Sequence, residues 1–191
     1  MVNESEKIRV FMALPIPPDT CSWIGRITGE ILKKRDGLKI VKPDNFHLTL
    51  AFIGDVPSDI LPFIDEPLKN FALSFNRFDV RFGKVGTFPG VIFLKTIRGE
   101  EKLVDLTTAV RAILRRHNIP YDNKQFKGHL TLARTKDRKL NPRDFIAENA
   151  LEKTWDYGFT ASEFVLLKSD LKPEGPTYTR VSTYNLGNGG Q

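Results

Sequence analysis

A single cysteine, Cys21, stands among 191 residues, and histidines number only three. One thiol excludes an internal disulfide and a cysteine-rich zinc site, and it suits a reducing cytoplasm. Long hydrophobic runs are missing too. The longest, "FMAL", "VIFL" and "FVLL", are strand-sized, far short of the ~20 residues of a membrane helix. No basic-then-apolar export pattern opens the chain, and no Gly/Ser-rich or charged linker divides it. With 40 % hydrophobic and 27 % charged residues the chain is no disordered polymer, and its length can bury a core. Only "MVNESEK" at the start and "GNGGQ" at the finish have the composition of frayed ends.

Charge is more informative. Twenty-nine Lys and Arg face twenty-three Asp and Glu, a formal +6 with a pI near 9.4. That balance favours an anionic partner, nucleic acid first and phosphorylated metabolites second, unless the basic surface serves solubility alone.

The β-branched and aromatic run "IRVFMALP" predicts a first strand ending at Pro15. Trp23, Ile24, Ile27, Ile31 and Leu32 recur at helical spacing. They predict a helix from Pro17 to Lys34, with two prolines at its start and Gly37 beyond its end. "LKIVKPDN" then leads into the region of residue 47. Leu61, Ile64, Leu68 and Phe71 predict a second helix, with Pro62 and Pro67 in its first turn or at a bend. "FDVRFGKVGTFPG" and "VIFLKTI" read as two strands joined by a Gly-Pro turn, followed by a helix from about Glu100 to His117. A short helix is expected near Asp144, after Pro142, and three strands close the chain: "TWDYGF", "EFVLLKSDL" and "YTRVSTYNL". Strands that arrive as hairpins among helices predict an α+β fold, with mostly antiparallel sheets and helices on their outer faces. Residues 1–187 are expected to form one domain or two lobes packed directly together, and residues 188–191 a disordered tail.

The residues that carry chemistry are written twice. Residues 46–51 read "FHLTLA" and residues 128–133 read "GHLTLA". In a strand, side chains alternate between faces, so His47 and Thr49 share one face, as do His129 and Thr131. The leucines, with Ala51 and Phe52, are free to enter a core. One such strand needs no function, since a polar face in water suffices to explain it. Two identical copies point to one site built from two halves. With an ordinary pKa of ~6.5, one imidazole can act as base and a second, protonated, as acid at neutral pH. Threonine hydroxyls can donate to non-bridging phosphate oxygens, where charge develops in phosphoryl transfer. Two imidazoles without a thiolate pair support no zinc site, so no metal and no other cofactor is expected. Arg134 follows the second copy, where the first has Phe52. A guanidinium there is a natural bidentate phosphate ligand. Strict alternation puts Arg134 on the leucine face, however, so reaching the site requires a twist or bulge; otherwise it is a solvent-facing strand end.

With these motifs in view, the sequence resembles the 2H phosphoesterase superfamily, and within it the RNA 2′,3′-cyclic phosphodiesterases, also called 2′–5′ RNA ligases. The resemblance covers nearly the whole chain. "IRVFMALPIP" is similar to the opening strand, and "KPDNFHLTLAFIGDV" and "FKGHLTLAR" to the two His-x-Thr-x motifs with their context. "VGTFP" resembles the loop before the central strand, and "LLKSDLKPEGPTY" followed by "YNL" the carboxy-terminal signature. The resemblance implies a bilobal fold with approximate two-fold symmetry, each lobe giving one motif strand to a central cleft. It implies metal-independent opening of a ribose 2′,3′-cyclic phosphate to a 2′-phosphate. Carried onto this chain, His47 and His129 are the acid/base pair, and Thr49, Thr131 and Arg134 hold the phosphate. By the same analogy His129 activates water and His47 protonates O3′, although the sequence leaves those roles interchangeable. Gly128 is a departure, because the family has proline before its second histidine; glycine loosens that stretch of backbone.

The implied partner is an RNA or oligonucleotide ending in a 2′,3′-cyclic phosphate, acted on by a cytoplasmic monomer with no membrane attachment. Two other functions would use the same residues: 2′–5′ ligation, with a 5′-hydroxyl replacing water, and a non-catalytic clamp for RNA ends. Phe46, Phe88 and Tyr178 are candidates for stacking on a base, with packing as the alternative for each and the core favoured for Phe46. His117 is expected to cap its helix, where it suits the dipole, and Cys21 to fill a half-buried place on the first helix.

Overall fold

The computed structural model describes residues 6–173 and 175–188. Strand β1 (Lys7–Pro15) is followed by helix α1 (Pro18–Ile31), a three-residue strand β2 (Leu38–Ile40) and the long strand β3 (His47–Pro57). Helix α2 (Leu61–Ser74) leads to strands β4 (Phe78–Phe88) and β5 (Val91–Arg98) and then helix α3 (Glu100–Arg116). Strand β6 (His129–Thr135), a short helix α4 (Glu148–Glu152) and strands β7 (Tyr157–Ala161), β8 (Glu163–Lys172) and β9 (Gly175–Asn185) complete the order. Two sheets result, β3-β1-β8-β9 and β2-β6-β5-β4-β7, and all their strand pairs are antiparallel.

The two sheets correspond strand for strand, β3-β1-β8-β9 to β6-β5-β4-β7, and β1–α1–β3 is repeated as β5–α3–β6. Only β2 lacks a counterpart: it leaves α1 and adds itself to the outer side of β6. The crossover helices are exchanged between lobes. Helix α1 packs on β7 and α3 on β3, while α2 covers β9 and α4 covers β4. The fold is therefore α+β and bilobal, with an approximate two-fold relation, a cleft between the sheets and helices outside. Among the described residues no helix is long and apolar enough to cross a membrane.

Several boundaries differ from expectation for identifiable reasons. Helix α1 stops at Ile31 because Leu32, 5 % exposed, turns extended and pairs with Ile146. The short helix expected near Asp144 is a 3₁₀ turn, Pro142–Phe145, capped by the Asn141 side chain accepting from the Arg143 N–H; regular helix begins only at Glu148. Pro62 sits in the first turn of α2, whereas Pro67 lies inside it. His117 is the C-cap of α3, as expected. Both ends are tied further out than their composition suggested. The Ser58 N–H donates to the Glu6 carbonyl at 3.0 Å, and Gly187 donates to Ala72 and Phe75 and accepts from Arg77. The rest of the start expected to fray and of the expected 188–191 tail, residues 1–5 and 189–191, lies outside the described residues.

Candidate active site

The two motif strands share one irregularity. Along β3 and β1 the ladder runs Ala13↔Thr49 and then Met12↔Ala51, skipping Leu50. Along β6 and β5 it runs Phe93↔Thr131 and then Ile92↔Ala133, skipping Leu132. A β-bulge thus falls at the same leucine in both copies, leaving two consecutive buried residues, Leu50–Ala51 and Leu132–Ala133. A bulge inserts one unpaired residue and reverses the facing of everything beyond it. Arg134 is thereby returned to the face of His129 and Thr131, as the sequence required of any phosphate ligand there. The same device corrects the placement of Phe52. Instead of entering the core, Phe52 faces the cleft at the position equivalent to Arg134.

The cleft has a volume of about 800 Å³ and is lined by His47, Thr49, His129, Thr131 and Arg134 together with Phe11, Phe52 and Tyr178. Both imidazoles are oriented in one way. The His47 Nδ1 lies 2.8 Å from the Asn45 carbonyl, and the His129 Nδ1 lies 2.7 Å from the Lys127 carbonyl. A carbonyl can only accept, so each Nδ1 carries its proton and each Nε2 is the exchangeable nitrogen. In the neutral ring, His47 Nε2 accepts from the Thr49 hydroxyl at 3.1 Å. Aromatic rings wall both histidines. Phe11 and Tyr178 lie 5.0 and 5.2 Å from His47, and Phe88 and Phe93 lie 5.2 and 5.3 Å from His129.

That enclosure sets the electrostatics. Burial is the main cause that depresses both histidines, with the Arg134 charge adding to it, and His47 falls to about 4. Hydrogen bonds to the Asn45 and Lys127 carbonyls oppose the change without reversing it. In the open site both rings are therefore neutral at pH 7. An anion bound between them favours the imidazolium form and moves both pKa values upward. Burial also raises the Tyr178 hydroxyl, so it stays protonated as a hydrogen-bond donor at neutral pH.

Of the aromatic candidates, Tyr178 lines the cleft. Phe88 instead stacks on Phe93 at 4.3 Å and meets the His129 ring edge-on, where it orients the imidazole. Phe46 is 6 % exposed and packs in the main core, which removes it as a stacking surface. Gly128 holds its backbone more tightly than glycine alone implies. Its carbonyl accepts from both the N–H and the hydroxyl of Thr96, and a Cβ there would lie 2.5 Å from Thr96 Oγ1. The buried Thr96 thus occupies the space a proline ring would need. Cys21 is half-buried, donates to the Ile16 carbonyl at 3.4 Å, and has its thiol pushed up by burial and by Asp44, so it is an unreactive filler.

The sequence did not single out the cleft's cationic rim: Lys39 and Lys42 from the β2 side and Lys172 from the β8–β9 hairpin. Asn45 ties these two sides together, its Nδ2 donating to the Pro176 carbonyl at 2.9 Å. The only available signal was the lysine density of "KIVKPDN" just before the first motif.

The profile of the 2′-5′ RNA ligase superfamily matches residues 16–173. The chain belongs to that superfamily. Among curated relatives, an RNA 2′,3′-cyclic phosphodiesterase of Archaeoglobus fulgidus is 30 % identical over 182 residues, covering 93 % of this chain and 99 % of that protein. One of the same description from Methanocaldococcus jannaschii is 28 % identical, covering 93 % and 100 %. Solved structures show the same fold. The Thermus thermophilus protein TT0787 superposes with a TM-score of 0.80 at 28 % identity, covering 95 % of this chain and 99 % of that one. E. coli LigT complexed with 3′-AMP gives 0.77 at 22 % identity, covering 95 % and 99 %, a likeness of fold.

Proposed function

We propose that this protein opens ribose 2′,3′-cyclic phosphates at RNA ends to 2′-phosphomonoesters, by acid/base catalysis between His129 and His47 and without a metal. The observation that carries this reading is the paired orientation of the imidazoles: each is pinned through Nδ1, leaving two Nε2 atoms for one cleft. In the forward reaction Nε2 of His129 takes a proton from water as its oxygen attacks phosphorus. The P–O3′ bond breaks, and O3′ takes the Nε2 proton of His47. Thr49, Thr131 and Arg134 hold the non-bridging oxygens, whose charge grows in the transition state. Tyr178 offers the terminal nucleoside an aromatic edge beside His47.

The names of the curated relatives support the substrate, and the superfamily's name supports a second reaction, ligation. Ligation would use the same residues, with a 5′-hydroxyl in place of water and a 2′–5′ bond formed. The setting belongs to the same proposal: one bilobal domain, working as a cytoplasmic monomer whose single thiol suits a reducing compartment.

The test is to incubate wild type, His47→Ala and His129→Ala with an oligoribonucleotide ending in a 2′,3′-cyclic phosphate, in EDTA. Product mass and resistance to 3′-phosphatase identify a 2′-phosphate. Each substitution should reduce opening by roughly 10²–10⁴, the range of a lost general acid or base. Full activity in either variant would remove that histidine from the mechanism. Binding without ring opening in wild type would make the protein an RNA-end clamp instead.

A further inference from the structure

The net charge of the chain is not spread over its surface. Residues 33–39 read "KKRDGLK" and residues 134–139 read "RTKDRK". Each segment holds four cations against one carboxylate, a net +3, so together they match the +6 of the entire chain and leave the remainder neutral. The fold brings them together. β2 pairs with β6 so that Lys39 lies opposite Arg134 and Leu38 opposite Thr135, and the Lys136 N–H donates to the Gly37 carbonyl at 2.8 Å. Every charged side chain of the two segments is exposed. Among the described residues none of their cations is ion-paired.

Like charges directly across a ladder destabilise it, and Lys39 faces Arg134 at the cleft itself. The strand that carries Lys39 is the one strand without a counterpart in the pseudo-two-fold. The lobes otherwise repeat each other, so this addition is what gives the site a charged side. Arg134 lies at one end of the strip, inside the cleft, and the exposed 33–37 and 136–139 loops lie at the other.

We propose that this strip is a binding track for the phosphodiester backbone of an RNA chain whose terminal nucleotide occupies the cleft. The protein is then selective for polynucleotide ends over free cyclic mononucleotides. The inference rests on the RNA-end reading above for its occupant, and on the placement of charge for its path. A flexible polyanion fits better than a rigid acidic partner, because the strip is continuous with the phosphate site and runs past it along an edge strand.

The decisive variant is Lys33→Ala/Arg35→Ala/Arg138→Ala/Lys139→Ala, all exposed loop positions that do not line the cleft. Two substrates are compared: a 2′,3′-cyclic mononucleotide and a single-stranded 12-mer ending in the same group. The variant should lose about tenfold or more in kcat/KM on the 12-mer relative to its change on the mononucleotide. Affinity for a non-reacting 12-mer with a 3′-phosphate, read by fluorescence anisotropy, should fall in parallel. Its log–log salt slope should flatten by about 3, since each of the four phosphates no longer neutralised on a single strand contributes about 0.7. A charge-preserving partner, with Lys and Arg exchanged at the four positions, should bind within about twofold of wild type. Equal binding of the 12-mer by wild type and the alanine variant, or equal losses on both substrates, would overturn the track. If wild type opens neither substrate, the catalytic reading fails while the binding arm still decides the track.

Discussion

At the residue scale, the informative contrast is between two histidines that match in sequence and a site that breaks their equivalence. His47 and His129 were legible because five residues recur, and strand alternation alone put each beside its threonine. Their protonation was not legible, because it depends on Phe11, Tyr178, Phe88 and Phe93, whose approach only the fold determines. With His47 near 4 and His129 below its ordinary value, a site needing one neutral and one protonated ring works best when slightly acidic. The kcat/KM optimum should therefore lie below pH 6.5, while the kcat optimum, governed by the anion-bound complex, should lie higher. A full pH–rate profile of both parameters checks this, and coincident optima would contradict it. Phe52 shows the limit of alternation: the sequence set it beside Arg134 by alignment, yet assigned it to the core because a bulge has no residue signature there.

Among elements, the long periodic helices and alternating strands were read correctly, since their apolar spacing is enforced over several turns or pleats. β2 was missed, being three residues long with one buried side chain, Leu38, too short for any period. The bulges were foreseen only as a requirement of Arg134, and their duplication at Leu50 and Leu132 emerged from the ladders. Helix α2 carries an avoidable defect. Pro67 lies within it, where it lacks the N–H for an i→i−4 bond and crowds the preceding turn. Pro67→Ala is expected to stabilise the fold by about 1–3 kcal/mol, raising the urea midpoint with an unchanged m-value.

For the whole molecule, the repeated β–α–β unit was hinted at by the repeated motif, whereas the exchange of crossover helices between lobes had no local signal. The depressed histidines link folding to pH. His47 is folded at about 4 and ordinarily near 6.5, so the unfolded chain binds more protons between those values. Stability is complete above pH 6.5 and is lost as pH falls towards 4, by up to about 3 kcal/mol from this residue. Inorganic phosphate should restore much of it, since a ligand at a hundredfold excess over its dissociation constant adds about 3 kcal/mol. Urea titrations at pH 7 and 4.5, with and without phosphate, test both expectations; a pH-independent midpoint would show that the rings are open to water.

The two carbonyl pins have one more consequence. Because each Nδ1 is committed, each ring has one place at which to exchange a proton with the cleft, and a turnover moves one proton out of His47 and one into His129. The site ends each cycle as the mirror of its starting state, charged on the opposite lobe. Before the next forward cycle it must be rewound through solvent; run without rewinding, it stands ready for the reverse reaction. A near-symmetric pair of lobes is thus a two-position ratchet: water and a hydroxyl-ended strand both enter on the His47-charged position, and only ring closure by O3′ starts from the other.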